Sequence, residues 1–82
     1  MPSSKTELRR GIDALRRGEW DLAHEVAQAD ESAGGHWLHG IVHTIEGDEG
    51  NARYWYAKAG RTFPGMGHTD AELDALAETL NG

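Results

Sequence analysis

Four positions with small side chains, Gly11, Gly18, Ala23 and Ala27, recur 29 residues later as Gly40, Gly47, Ala52 and Tyr56. Glu19, after the first turn glycine, has its counterpart in Asp48 after the second. A repeat of this length constrains the fold more than any single motif. One repeat is a helix–turn–helix unit that cannot bury its apolar face alone, so two copies must share a core. The small residues have a mechanical task, because two antiparallel helices approach closely only where side chains are small.

The pattern between the glycines is helical throughout. Ser4 and Glu7 in "SKTE" have capping-box spacing, and the helix that follows should stop at Gly18. A second helix fits "EWDLAHEVAQAD", with Trp20, Ala23 and Ala27 on one face. "ESAGG" should break the pattern, since paired glycines seldom sit within a helix. A third helix is expected over about 36–46, and "EGDEGN" should turn the chain with Asp48 as the next cap. A fourth helix is expected over about 50–60, with Ala52, Trp55, Tyr56 and Ala59 on a common side. "GRTFPGMGH" reads as a loop. Thr69 and Glu72 have capping-box spacing again, ahead of a Leu73, Leu76, Ala77 and Leu80 stripe. The expectation is an all-α single domain over 1–82. It comprises hairpins at 4–30 and 36–60 and a capping helix at 69–80, swung onto the open end of the stack.

Composition narrows the classes of function. The chain has 82 residues, 38% of them hydrophobic and 27% charged, which suits one small globular domain with a thin core. Cysteine is absent, which excludes disulfides, thiolate catalysis and cysteine-type zinc sites. No apolar run has membrane-spanning length, and "MPSSKTELRRGID" has no signal-peptide hydrophobic region, so a cytoplasmic location is expected. Net charge is −6, divided as +3 over residues 1–18 and −9 over 19–82. A mostly negative field argues against nucleic-acid binding, and the basic first helix reads as a solvated face.

The mutual spacing of Gly40, Gly47-Asp48, Ala52, Tyr56, Ala59 and Pro64 resembles the tetratricopeptide repeat. "ARYWYAKAG" is similar to the second helix of Sel1-like repeats. The resemblance covers 36–64 well and 8–30 only in its small residues and turn. The period is 29 rather than the family's 34, and His36, His39 and His43 stand where large packing residues are usual. The chain also resembles small bacterial proteins with an "HGxxH…EGD…NAxYWYxxAG" core, which implies no activity. The repeat resemblance implies a non-enzymatic protein-interaction module or adaptor, whose first helices line a concave binding surface. The partner would be an unidentified protein or peptide, and the chain a monomer or homodimer. His36, Trp37 and Tyr54 are the partner-binding candidates.

"HWLHGIVH" carries three of the five histidines. At 100° per residue, Trp37, Leu38, Ile41, Val42 and Ile45 share one arc of the third helix. His36, His39, Gly40 and His43 share the other, and the glycine predicts close approach by the fourth helix. The first expectation for these rings is a structural or interaction face, with no cofactor. The alternative is a small metal-binding or sensing protein using His39, His43 and Glu46, since imidazoles and a carboxylate at helical spacing suit zinc-class ions. "HGIVH" lacks the glutamate of HExxH, and no nucleophile has motif context, so no enzyme is expected. The position of these rings relative to one another and to His24 separates the readings.

Overall fold

The computed structural model describes residues 4–81; the ends of the expected 1–82 domain, 1–3 and 82, lie outside the described residues. Five α-helices and no strand are found among those residues: α1 Ser4–Arg16, α2 Trp20–Ala29, α3 Ala33–Ile45, α4 Glu49–Lys58 and α5 Thr69–Thr79. None is long and apolar enough to cross a membrane.

The repeated glycines do the same work twice. Gly18 and Gly47 take φ +79° and +81°, a left-handed conformation that other residues rarely adopt. Gly18 N–H donates to the Leu15 carbonyl at 3.1 Å and Glu19 N–H to that of Ala14 at 2.8 Å. Gly47 N–H donates likewise to Thr44 at 3.1 Å and Asp48 N–H to His43 at 2.9 Å. Both pairs form the Schellman ending, which satisfies the last carbonyls of α1 and α3 while the chain reverses. Asp48 then opens α4 by accepting from Asn51 N–H at 3.3 Å.

Gly11 and Gly40 are close-approach sites. A Cβ at Gly11 would lie 2.7 Å from Leu38 Cδ2 and 3.0 Å from Val26 Cγ1. One at Gly40 would lie 2.6 Å from Tyr56 Cδ2 and 3.3 Å from the Ala52 carbonyl oxygen. Thus α1 packs on α2 and α3 on α4, and α3 also touches α1, α2 and α5. Its Leu38, Ile41 and Val42 are fully buried, so α3 carries the centre of the core.

Four local expectations need correction. The Gly34-Gly35 pair lies inside the first turn of α3, not in a break: Ser32 caps it by accepting from Gly35 N–H at 3.1 Å. A Cβ at Gly35 would come within 2.0 Å of the Asp30 carbonyl oxygen, so glycine is what permits the tight α2–α3 corner. Neither expected capping box forms. Ser4 is itself helical and donates to Asp30 Oδ2 at 2.6 Å, and Glu7 pairs with Arg10. His68, not Thr69, precedes α5, and Glu72 sends its carboxylate to Trp37 and Tyr56 instead. Trp20 is not on the buried face; at the first turn of α2 it is 46% exposed.

Helix α5 also lies elsewhere than expected. It packs on α1 and α3, the first helices of the two hairpins, rather than flanking α4 at the end of the stack. Leu73, Leu76 and Leu80 enter the common core there. Arg16 pairs with Asp74 at 2.6 Å, and Arg9 donates to the Leu80 carbonyl at 2.6 Å. Two cations of the basic first helix are therefore spent on holding α5.

Candidate metal centre

The polar arc of α3 meets α2 across the corner made by Asp30, Ser32 and Gly35. Helix α2 packs on α3 as well as on α1, and its His24 reaches α3. His24 Nε2 stands 3.0 Å from His39 Nε2. His43, one turn beyond His39, lies parallel to it with ring centroids 5.0 Å apart and planes at 15°. His24 meets both edge-on, at 4.8 Å and 5.4 Å between centroids. One nitrogen from each of the three rings lies within 4.8 Å of the other two.

The alternative reading of the sequence put His39 and His43 on one helix face and gave the third place to Glu46. The structure gives it to His24. Glu46 is the C-cap of α3, and its Oε1 lies 3.2 Å from His43 Nδ1, outside the group of converging donors. Helical spacing shows which residues share a helix face, and Glu46 does lie near His43. It does not show which residue of another helix faces them. No spacing within a single helix points from these rings to His24.

The cluster is short of partners. Nδ1 of His36, His39 and His43 are all buried without a hydrogen bond; the Glu46 approach to His43 is off the line of one. Such orphaned nitrogens are uncommon in native proteins. His39 is only 4% exposed. Burial first, then the neighbouring His24, His43 and His36, push its pKa down to about 4. It is therefore neutral at physiological pH, with a lone pair on one ring nitrogen, the form that binds a metal. Trp55 of α4 covers the other side of His39, at 3.8 Å and nearly parallel.

The remaining candidates are scattered. His36 tilts against Trp55 at 5.3 Å and does not join the triad. Trp37, expected as a partner anchor, is 3% exposed and cannot serve as one. Its apolar ring completes the core, its N–H donates to Glu72 Oε1 at 3.2 Å, and the Arg61 guanidinium covers it at 3.5 Å. Tyr54 is on the surface, 54% exposed, with the Lys58 ammonium 5.5 Å from its ring.

Zinc–imidazole bonds of about 2.0–2.1 Å in a tetrahedral site place nitrogens about 3.3 Å apart. The present separations, 3.0 Å between His24 and His39 and at most 4.8 Å across the group, lie within about 1.5 Å of that spacing. No carboxylate or further imidazole joins the three donors among the described residues, so a fourth position would be left to solvent or another ligand. Comparisons with protein-family models, curated proteins and solved structures find no match to this chain, so the site's own geometry must carry the functional argument.

Proposed function

We propose that this chain is a small helical metal-binding domain in which His24, His39 and His43 hold a transition-metal ion of the zinc class. The observation that carries this is the convergence of three imidazole nitrogens from two helices within 4.8 Å, around a histidine kept neutral by burial. An all-nitrogen set suits zinc, copper, nickel or cobalt and is a poor match to magnesium or calcium, which prefer oxygen. The ion would pin α2 to α3, and hence the first hairpin to the second. In a domain this small, such binding energy is a large share of folding stability. No hydrolytic role is assigned: Glu46, the carboxylate beside the triad, faces His43 Nδ1.

The interaction-module reading has a narrower footing. The first helices that would line a concave partner surface are covered by α5. Its support is the exposed Tyr54 beside Lys58, and its partner would be a protein or peptide.

The test is calorimetry and thermal melting of the tag-free protein with zinc, cobalt and nickel. One-to-one binding at micromolar or tighter affinity is expected, with a melting point that rises as metal is added. His24→Gln, His39→Gln and His43→Gln should each weaken binding, and His39→Gln with His43→Gln should abolish it. No heat from any of the three metals would overturn the proposal.

A further inference from the structure

Resting on that metal-site reading, we infer that Glu46 is the outer carboxylate of the centre, orienting His43 through the ring nitrogen that faces away from the ion. A histidine that binds metal through one nitrogen carries a hydrogen on the other. Ligating histidines almost always donate that hydrogen to a carboxylate, carbonyl or water, which fixes the tautomer and makes the ring a better ligand. His43 Nδ1 is buried, and the nearest acidic oxygen is Glu46 Oε1 at 3.2 Å. Glu46 stays outside the converging donor group, and with its carboxylate against Nδ1 the nitrogen of His43 left to take the ion is Nε2.

The local backbone makes this workable. Glu46 closes α3 with φ −72° and ψ −7°, three residues after His43, so its side chain reaches back over the ring. The carboxylate is 38% exposed, and among the described residues it has no other hydrogen-bonded or ionic partner. It can therefore turn onto the N–H line when His43 moves in toward the other two rings. His39 has no such partner for its Nδ1. His43 is thus the ligand whose tautomer the fold can set from outside.

The experiment measures zinc affinity by competition with a chromophoric chelator, for the full chain and for Glu46→Ala, Glu46→Gln and Glu25→Gln. Glu25 follows His24 in sequence and serves as the control for loss of one negative charge near the site. Removing an outer partner of this kind typically costs 10–100-fold in metal affinity. Glu46→Ala should lose about tenfold or more. Glu46→Gln, which keeps an acceptor oxygen, should recover part of it, and Glu25→Gln should stay within about twofold of the parent. The metal-free melting points of the Glu46 variants should match the parent, and their cobalt spectra should keep its shape.

A Glu46→Ala affinity within twofold of the parent would overturn the inference while leaving the metal site standing. So would an equal loss in Glu25→Gln, which would mean generic charge. An altered cobalt spectrum would also overturn it, by making Glu46 a direct ligand. If the parent chain binds no metal, the site itself fails, a result distinct from these three.

Discussion

On one side of α3, Trp37 and the α4 residue Tyr56 both donate to a single oxygen of Glu72, at 3.2 Å and 2.8 Å. On the other side, His39 and His43 face His24, and the buried Nδ1 atoms of the α3 pair lack hydrogen-bond partners. Both clusters are polar groups set into a thin core, and both tie α3 to its neighbours. They differ in completeness. In the first, burial and the Glu72 carboxylate raise the Tyr56 phenol above its ordinary range, so it stays a protonated donor. In the second, a buried ring is kept neutral with nothing to donate to or accept from on one side. A satisfied buried network stabilises a fold, whereas an unsatisfied one costs stability and persists only for another reason. The Glu72 cluster thus reads as architecture, and the histidine cluster is the one the proposed metal site would complete.

The largest expected difference between them appears on acidification. His39 titrates at about 4 in the folded chain against 6.5 for an unperturbed histidine. Below pH 6.5 the unfolded chain takes up a proton that the folded chain refuses. This contribution is therefore fully present above about pH 6.5, declines as pH falls, and is lost near pH 4. The gap corresponds to about 3 kcal/mol at most. Melting curves of the metal-free protein from pH 7 to pH 4 should show the loss. His39→Phe should remove that part of it; the fall due to Asp30 and Asp48, which accept hydrogen bonds from Ser32 and Asn51 that help hold their carboxyls below the usual range, comes mostly below about pH 4. Equal pH dependence in parent and variant would erase the contrast.

The Glu72 cluster should respond to substitution, not to mild acid. Glu72→Ala strips two partly buried donors of their acceptor and should cost about 2 kcal/mol. Tyr56→Phe removes one donor and leaves Trp37 on the carboxylate, so about 1 kcal/mol is expected. Urea denaturation at pH 7 measures both. If Glu72→Ala is neutral, the cluster is surface decoration, and its comparison with the histidines loses meaning.

How much of this was legible depended on the range of the interaction. The Gly18 and Gly47 helix endings and the Asp48 cap are local, so their residues could be read in the chain directly. Gly40 announced a close neighbour because its absent side chain sits in a stripe of larger ones. Glu72 misled, since capping-box spacing is a local preference and two tertiary donors, Trp37 and Tyr56, outbid one backbone N–H. Gly34-Gly35 misled for a related reason: the pair reads as a helix breaker until Asp30 is placed against it. His24 lies 15 residues before His39. No periodicity within one helix could join them, because their meeting depends on how α2 packs on α3. The position of α5 was equally hidden, as an amphipathic stripe states that a face will be buried but not against which helices.

The smallest expected effect is the sharpest test, because substitutions in a core ordinarily cost more. His39→Phe at pH 7 replaces a buried ring with another that can keep the parallel contact with Trp55 at 3.8 Å. It removes an orphaned Nδ1, which favours the variant, and also the 3.0 Å hydrogen bond between His24 Nε2 and His39 Nε2, which opposes it. A core residue chosen for packing should lose stability on such a change. A residue retained for binding should not, since function commonly holds a site below its most stable sequence. With the two effects offsetting, the metal-free variant should stay within about 1 kcal/mol of the parent. With zinc present the parent should be the more stable, because only the parent gains from binding. A metal-free variant destabilised by more than about 1 kcal/mol would move His39 into the same class as Tyr56, a group that holds the fold together.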